Sequence, residues 1–516
     1  MPLESSYSSV SALLLALALG SVIFVTNRRR SHALPWPPGP RGIPLIGSWF
    51  YIPSQKPQIT YAKWSRDYQS DIVSVNAFGQ PILIINSQKC AETLLEERSS
   101  IYSDRPSFTI VNLTGWDWFI GTLPYSDLWR ARRRILQREL HENAILEYRP
   151  KQHTMVDNLI KWLYKDPEDF KHYTYTAIAS LSLSLAYGYD VKPRDDPLVE
   201  KLERASKIVI DLMLPGTSTL NEIPFLNQLP SWFPGFGYKK RAKACKILTN
   251  EVLHSPLDMV KQSVADGTAS LSLASVLLRD NDSQDDNERS TEEAVIRESV
   301  ASIYSAGADA TGGSLHHAIH TLILNPDAQK RAQAEIDKVV SRDRLPSFDD
   351  RDALPYLGAV VREIMRWNNV GPLGIPHKNT QDDVYEGYLI PKGEPPSNVV
   401  FMAAMIHDPE RYPDPMSFKP ERFLQADGSL NDDDMRAMFG FGRRVCPGRY
   451  IAVSTIWLAV AGMLAVFDFG LAKDAQGNEI PVENITTDGT SSRPAPFQCS
   501  IKPRDSLAEA LIQSLA

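Results

Sequence analysis

A helical pattern of about 35 residues is the strongest constraint on how this chain can fold. It begins at a capping box, Ser290 with Glu293, and ends at Asn325, because Pro326 cannot continue a helix. At about 1.5 Å per residue, such a helix would be about 52 Å long. We therefore expect one helix to cross the whole folded body, with the other elements packed around it.

The middle of this pattern is AGADATGG, residues 306–313, which holds three glycines. Each interior glycine costs a helix about 1 kcal/mol relative to alanine. One interpretation is a break or a loop at this point. The other is a place where something flat or small touches the backbone. The helix pattern alone leaves both interpretations open.

The rest of the chain combines helical patterns with a few short strand patterns. Helices are predicted at residues 127–142, 156–164, 173–187, 239–264, 271–279, 326–341, 356–367 and 451–467. Strands are predicted in a hairpin at 71–86 that turns at Gly79 and Gln80, and at 384–390 and 496–503. The fold class is therefore mainly α with a smaller β part, α+β.

Composition favours one globular body and argues against some partners. The sequence is 43% hydrophobic and 23% charged, and no Gly/Ser-rich linker divides it after residue 50. A net charge of −7 argues against a general nucleic-acid binder. The four cysteines form no CxxC pair, which argues against a disulfide framework or a zinc site of the usual spacing; they are Cys90, Cys245, Cys446 and Cys499.

An apolar run near the amino terminus predicts a single membrane anchor at about residues 8–26, roughly 28 Å long as a helix. A cleaved signal peptide is the alternative, but its start should be basic, and this chain starts with MPLE. The three arginines at 28–30 keep the downstream chain in the cytosol by the positive-inside rule. Residues 1–30 are thus predicted as anchor and basic stop, and the proline-rich residues 31–50 as a stiff hinge.

The segment FGFGRRVCPGRY, residues 439–450, places a cysteine in a loop rich in glycine and arginine, directly before an apolar helical pattern. Backbone N–H groups and the positive end of the following helix favour a thiolate at Cys446. That thiolate is a candidate nucleophile or metal ligand, and a chance cysteine in an ordinary turn is the alternative. Gly440, Gly442 and Gly448 let the loop approach a flat partner closely.

This loop resembles the haem-binding loop of the cytochrome P-450 family, whose pattern is F-x-x-G-x-R-x-C-x-G. The matching residues are Phe439, Gly442, Arg444, Cys446 and Gly448. A chance match in a chain of this length is on the order of 10⁻⁴. The resemblance implies a haem b cofactor whose iron is bound by the Cys446 thiolate, with Arg444 contacting a propionate.

Two other motifs of the same family occur in the expected order. Trp129 and Arg133 match its W-x-x-x-R helix, and the resemblance implies that both contact haem propionates. Glu363 and Arg366 lie three apart on a predicted helix, and Arg422 follows in KPERFL. The resemblance implies that these three form a buried network that supports the cysteine loop without taking part in catalysis.

The glycine-containing stretch corresponds to the family pattern A-G-x-[DE]-T, in which the acid and the threonine deliver protons to bound oxygen. Ala306, Gly307 and Asp309 match this pattern, and the resemblance implies that Gly307 lies against the haem. Ala310, however, stands where the threonine is expected, and Thr311 follows one residue later. One residue turns a helix by about 100°. Either Thr311 rotates toward the oxygen site through a local distortion of the helix, or a water or a substrate hydroxyl replaces the missing side chain.

The resemblance implies a monooxygenase that uses O₂ and electrons from NADPH. The electrons are expected through an NADPH-dependent reductase of flavin type, with a cytochrome b-type donor as a second candidate. A basic helix face would receive the acidic reductase; its members are Arg130, Arg132, Arg134 and Arg138. The implied location is the endoplasmic reticulum membrane, in contact with lipid, with a cytosolic catalytic domain at residues 51–516.

GWDW at 115–118, the run at 375–393 and PFQC at 496–499 resemble runs in membrane-bound fungal members of secondary metabolism. The mixture of aromatic and aliphatic residues in the predicted pocket walls favours an apolar, medium-sized substrate. A terpenoid is the first prediction, an indole or other aromatic metabolite the second, and a reductase-independent haem-thiolate isomerase or dehydratase the third. The predicted pocket walls are residues 108–119, Ile303 with Tyr304, 370–375 and 490–492. Residues 394–402 depart from the family pattern, since Pro395 and Pro396 interrupt an expected strand. The pairing of that strand, or the gene model itself, is therefore open.

Overall fold

The computed structural model describes residues 34–515 except for 45, 54, 78–79, 214–229, 234, 282–284, 394–398, 403–404 and 488–490. The predicted anchor and its arginines lie outside the described residues, as do Gly79, Thr490 and the proline pair at 395–396. The described chain forms two units. The first comprises the described residues of Met1–Pro106 and Pro376–Ala404, and the second those of Ser107–Ile375 and Met405–Ala516.

The first unit is built on small sheets. Its helices are α1 (Pro57–Tyr68), α2 (Gln88–Ala91) and α3 (Ser99–Tyr102), and its strands are β1 (Ile72–Ala77), β2 (Gln80–Ile85), β3 (Asp383–Tyr385), β4 (Tyr388–Ile390) and β5 (Val399–Met402). β1 and β2 pair antiparallel, with Ile72 opposite Ile85, and β5 pairs parallel to β2. The predicted hairpin is therefore confirmed. The backbone at 399–402 forms a strand despite the prolines that precede it.

The described part of the proline-rich hinge is hydrogen-bonded to the first unit. The backbone N–H of Ser74 donates to the carbonyl oxygen of Pro38 at 2.8 Å, and the Ser74 hydroxyl donates to that of Pro37 at 2.6 Å. Gly39 lies against the Ser74 backbone, where a Cβ would clash. These bonds give the proline segment, which has few N–H donors of its own, a partner strand.

The second unit is mainly helical. Its helices are α4 (Thr109–Thr114), α5 (Asp127–Leu140), α6 (Arg149–Lys165), α7 (Phe170–Tyr187), α8 (Pro197–Met213), α9 (Tyr238–Ala265), α10 (Leu273–Asp280), α11 (Asp286–Leu324), α12 (Pro326–Val339), α13 (Pro355–Trp367), α14 (Arg449–Val466) and α15 (Ser506–Ser514). Its two strands, β6 (Phe467–Leu471) and β7 (Cys499–Pro503), pair antiparallel. The predicted α+β class is confirmed.

The long helix α11 is the central element of the second unit, as predicted, but it begins earlier than expected. Asp285 is its N-cap, and the Asp285 carboxylate accepts the backbone N–H groups of Asn287 at 2.8 Å and Glu288 at 3.1 Å. Ser290 lies inside the helix, so the predicted capping box at this residue is wrong. An aspartate followed by exposed acidic residues caps the helix better, because a carboxylate both accepts N–H groups and complements the helix dipole.

The helices α11 and α14 form the core of this unit. From Val300 to Ile323, α11 is buried on most sides, which is typical of a helix enclosed by others. Among the described helices, α14 alone is long and apolar enough to span a membrane. Its side chains, including Trp457 and Leu464, are buried against neighbouring helices, so α14 is a core helix.

Candidate active site

Cys446 lies in a tight loop between a 3₁₀ turn at 442–444 and the start of α14. Its backbone N–H donates to the carbonyl oxygen of Phe439 at 2.7 Å, which closes the loop. Gly440 has φ +80° and Gly442 has φ +55°. Other residues rarely adopt these angles. The backbone path that carries the cysteine therefore explains Gly442 of the motif and Gly440 beside it.

The electrostatic surroundings of the Cys446 thiol act in opposite directions. Burial raises its pKa, while the Gly448 N–H and the guanidinium groups of Arg133 and Arg449 lower it, and the net direction is upward. The protein alone therefore favours the protonated thiol at neutral pH. A metal ion bound there would reverse this, because a coordinating thiol loses its proton.

Trp129, Arg133 and Arg444 lie together beside this loop. Arg133 Nη1 donates to the carbonyl oxygen of Val445 at 2.7 Å. The Arg444 guanidinium carbon lies 4.4 Å from the Trp129 ring centroid, and Arg444 Nη2 donates to the carbonyl oxygen of Leu123 at 2.8 Å. Trp129 and Arg133 are both buried. The structure thus brings two cations and an indole to one side of the thiol.

The middle of α11 has one accessible strip within a buried helix. Ala306 and Ala310 are exposed, whereas Ala308 and Thr311 are buried. Residues 303, 306, 307 and 310 share one helix face. Ile303 of this face and Ile451 of α14 both pack against a cluster that contains Trp129. The accessible strip of α11 and the start of α14 therefore both contact the same cluster.

The three glycines of α11 lie against protein neighbours. A Cβ at Gly307 would lie 2.8 Å from Ser182 Oγ, and one at Gly312 would lie 3.2 Å from the Tyr175 Cα, both on α7. A Cβ at Gly313 would overlap the Arg493 guanidinium. The helix is continuous through this stretch. The glycines therefore make room for neighbouring elements. Thr311 could turn toward the oxygen site only if the helix were locally distorted, and the helix is regular here, so Thr311 stays buried.

Asp309 is held by two residues near the carboxyl terminus. Ser491 Oγ donates to Asp309 Oδ2 at 2.9 Å, and Arg493 forms an ion pair with Oδ1. Arg493 Nη2 also donates to the backbone carbonyl oxygen of Asp309 at 2.7 Å. The sequence prediction placed residue 491 in a pocket wall but missed Arg493. No local pattern in the sequence links an arginine to an aspartate 184 residues away.

Glu363, Arg366 and Arg422 form the network that the motifs suggest. Arg366 donates from Nε and Nη2 to the two Glu363 oxygens at 2.6 and 2.9 Å, and Arg422 Nε donates to Oε1 at 3.1 Å. The Lys419 backbone N–H adds a fourth bond at 2.7 Å. Both Glu363 and Arg366 are fully buried. Glu363 and Arg366 therefore neutralise each other inside the core, where neither is exposed to a ligand, and Arg422 adds a second cation to the same carboxylate.

Comparison with known proteins identifies the family. A sequence model described as Cytochrome P450 matches residues 37–500. The chain belongs to the cytochrome P450 family. It is 38% identical to tryptamine 4-monooxygenase from Psilocybe cyanescens over 502 residues, which cover 95% of this chain and 97% of that protein. It is 36% identical to cytochrome P450 monooxygenase COX2 from Coprinopsis cinerea over 520 residues, 100% of this chain and 98% of the relative.

A third relative agrees with this assignment. Cytochrome P450 monooxygenase 208 from Postia placenta is 38% identical over 505 residues, which cover 97% of this chain and 96% of that protein. The chain is accordingly a P450 monooxygenase, an oxidoreductase. The family implies a haem with thiolate ligation and electrons from a redox partner.

The described residues of this P450 fit a haem group. Cys446 offers the thiol that would bind iron, and the Gly448 backbone N–H lies within hydrogen-bond distance of that thiol. Arg133 and Arg444 supply positive charge on the side where the propionates would need cations. The small side chains of Ala306 and Ala310 leave the facing strip of α11 accessible. The site thus combines a soft ligand, two cations and a small-residue face.

Parts of the predicted pocket walls of this P450 meet in the second unit. A Cβ at Gly121 would lie 2.6 Å from a Phe119 ring carbon and 3.0 Å from the Ile375 side chain, so these two apolar side chains are neighbours. The Ser492 backbone N–H donates to the carbonyl oxygen of Val370 at 2.8 Å. The walls at 108–119, 370–375 and 491–492 are therefore joined in pairs.

Other predicted wall residues belong to the core. Tyr304 is fully buried, and its hydroxyl donates to the carbonyl oxygen of Leu198 at 2.8 Å. Trp116 and Trp118 are buried, with ring centroids 5.3 Å apart. The prediction of Tyr304 as a wall residue is wrong, because the helix turn directs it away from the accessible strip that contains Ala306.

Proposed function

We propose that this P450 hydroxylates an uncharged, apolar secondary metabolite, with a terpenoid as the first candidate. The proposal rests on the observation that the charged side chains found beside the predicted pocket walls are paired with each other. Asp309, next to wall residue Ser491, is already paired with Arg493. The other wall contacts described above come from Phe119, Ile375 and the backbone. An uncharged ligand suits such a wall, because a charged group would need a free partner there.

An indole is the second candidate, because the relative from Psilocybe cyanescens is named tryptamine 4-monooxygenase. The pairing of Asp309 with Arg493 argues against a protonated amine at this wall and leaves a neutral indole as the form that fits. A reductase-independent isomerase or dehydratase is disfavoured, since the similar proteins are named monooxygenases.

Different residues of the chain would have different roles in such a reaction. Bound haem would supply the reductive activation of dioxygen. Cys446 would provide its thiolate ligand, and Arg133 and Arg444 would hold its carboxylates. The Asp309 carboxylate would accept a hydrogen bond from the Ser491 hydroxyl and so orient it. The apolar wall would orient the substrate and exclude water, which limits the loss of reactive oxygen to side reactions.

Electrons are proposed to come from NADPH through a flavin-containing reductase, with a cytochrome b-type donor as a second source. Support comes from basic side chains exposed on α5 and on the cysteine loop, on a chain of net charge −7; they are Arg130, Arg134, Arg138 and Arg443. Arg132 does not belong to this set, because it is buried and paired with Glu298. The amino-terminal segment would hold the protein in the endoplasmic reticulum membrane.

The substrate proposal is tested by co-expressing the full chain with a reductase and supplying neutral terpenoids, neutral indoles and tryptamine. We expect an NADPH-dependent product that contains one more oxygen atom from a terpenoid, and none from tryptamine. The negative control is the Cys446→Ser variant, which lacks the thiolate and should form no product. Turnover of tryptamine alone would overturn the terpenoid proposal, and product formed without NADPH would overturn the monooxygenase reaction.

A further inference from the structure

Two residues of one segment near the carboxyl terminus bind Asp309, at both its side chain and its backbone. We call this segment, the described residues 483–487 and 491–495, the carboxyl-terminal loop. Ser491 Oγ donates to Asp309 Oδ2 at 2.9 Å. Arg493 reaches Oδ1 and, at 2.7 Å from Nη2, the backbone carbonyl oxygen of the same residue. Both carboxylate oxygens of Asp309 thus have a partner from this loop.

Arg493 fits on α11 because residue 313 has no side chain. A Cβ on Gly313 would lie 2.6 Å from Arg493 Cζ, well inside contact distance. The arginine side chain is 22% exposed, so its guanidinium is largely shielded from water by the helix. Gly312 differs from its neighbour, since a Cβ there would meet Tyr175 at 3.2 Å instead. Gly313 therefore forms the seat of the arginine.

The carboxyl-terminal loop is itself held in place by bonds that do not involve Asp309. His317 Nε2 lies 3.1 Å from the carbonyl oxygen of Ser492, and His320 Nε2 lies 3.0 Å from that of Glu483. The Arg493 backbone N–H donates to Thr487 Oγ1 at 3.0 Å. Two buried histidines of α11 thus fix the loop at separate points, and the two side chains reach Asp309 from a braced backbone.

We infer that Ser491 is the hydroxyl partner of Asp309 in this chain, and that Arg493, seated on Gly313, is its positioning residue. The residue after Asp309 is Ala310, which has no hydroxyl, and Thr311 is buried on an undistorted helix. Ser491 supplies a hydroxyl within hydrogen-bond distance of the carboxylate, from a pocket wall. The role in proton delivery rests on the proposed monooxygenase reaction, while the positioning by Arg493 does not.

Proton delivery can be measured without knowing the substrate. With reductase and no organic substrate, early loss of reduced oxygen consumes one NADPH, one proton and one O₂ and releases one H₂O₂. Full reduction consumes two NADPH, two protons and one O₂ and releases two H₂O. Both paths put protons on both oxygen atoms, but full reduction also breaks the O–O bond and takes up two more electrons and two more protons per O₂, so it depends on further proton delivery. The ratio of H₂O₂ formed to NADPH consumed therefore reports how well protons are delivered.

Ser491→Ala and Ser491→Thr test the hydroxyl. Ser491→Ala should lower the rate of the water-forming path about a hundredfold, at the low end of what a positioned proton donor contributes, and move the ratio toward one. Ser491→Thr, which keeps the hydroxyl, should restore the wild-type ratio to within about twofold. An unchanged ratio in Ser491→Ala, or no rescue by threonine, would overturn the role of Ser491.

Arg493→Gln and Gly313→Ala test the positioning, with Gly312→Ala as the matched control. The readout is hydrogen exchange of the amides at 491–495 in the resting haem-loaded protein, which requires no turnover. Each of the two variants should raise exchange about tenfold, and the double variant no further, because both remove the same contact. Gly312→Ala should leave exchange unchanged. If the effects of Arg493→Gln and Gly313→Ala on exchange added up in the double variant, or if Gly312→Ala raised exchange as much as Gly313→Ala, the inference that Arg493 packs on Gly313 would be overturned. A failed terpenoid assay changes none of these readouts.

Discussion

Replacing Glu363 by glutamine is the sharpest test of how the interior of this P450 is stabilised. The Glu363 carboxylate accepts four N–H groups, from Arg366, Arg422 and the Lys419 backbone. Glutamine has nearly the same shape but turns one acceptor oxygen into a donor and leaves the fully buried Arg366 guanidinium without a counter-charge. Removing one partner of a buried pair costs about 3–5 kcal/mol.

This cost can be converted into a melting shift. Unfolding entropy of about 2.1 cal/mol/K per residue gives a chain of this length about 1.1 kcal/mol per degree. Glu363→Gln should therefore lower the melting temperature by about 3–5 °C. Arg366→Lys should also lower it, because lysine keeps the charge but cannot reach the two Glu363 oxygens and the Ile406 carbonyl oxygen together.

The matched control is a surface pair of similar helical spacing. Lys63 and Asp67 lie 2.6 Å apart, but their side chains are 66% and 46% exposed. Asp67→Asn should shift the melting temperature by less than about 0.5 °C, since exposed pairs contribute about 0.3–0.5 kcal/mol. Melting is followed by calorimetry of the haem-loaded proteins at one scan rate, because large chains often unfold irreversibly. Equal melting temperatures for Glu363→Gln and the wild type would refute the reasoning.

Three other predictions concern the cofactor, acid stability and proton delivery. Cys446→Ser should abolish the thiolate-type Soret band of the reduced carbon monoxide complex while leaving the far-ultraviolet circular dichroism unchanged; a retained band would exclude Cys446 as the ligand. Burial lowers the pKa of His316 and His317 to about 3. Between pH 6.5 and about 3, only the unfolded chain then binds these protons, so each histidine should lower the free energy of unfolding by up to about 1.4 kcal/mol for every unit by which the pH is lowered. His316→Phe should make the melting temperature less dependent on pH. An unchanged pH dependence in this variant would contradict burial of His316 as the cause. Ala310→Thr adds a hydroxyl on the accessible strip of α11 and should lower H₂O₂ release per NADPH, whereas Thr311→Ala, at a buried position, should leave it unchanged; a rise in H₂O₂ release in Thr311→Ala would restore Thr311 as the relay.

The start of the long helix illustrates where local sequence reasoning succeeds and where it fails. The periodic pattern and Pro326 predict the helix and its end, since these depend on neighbouring residues alone. The predicted start at Ser290 is wrong, because the helix already begins at Asp285, whose carboxylate accepts the N–H groups of Asn287 and Glu288 and leaves Ser290 inside the helix. The sequence contains two possible N-caps, Asp285 and Ser290, and the local pattern alone does not decide which of them starts the helix.

The glycines show a second kind of difference. Their presence in α11 indicates close approach, but not by what. In the structure, Gly307 and Gly312 face α7 and Gly313 faces Arg493. Each neighbour comes from a segment distant in sequence, so the sequence of the helix alone could not predict which residue contacts each glycine.

By itself, the sequence determined the family, the helical class and the identity of the cysteine loop. These follow from short-range features: periodicity, turn residues, and a motif whose backbone path requires glycine at positive φ. Only the tertiary structure decided the partners of Asp309 and the core position of Tyr304. Those outcomes depend on which side of a helix meets which distant segment, and packing of the whole unit sets that choice, because buried polar groups take whichever partners the fold brings within hydrogen-bond distance.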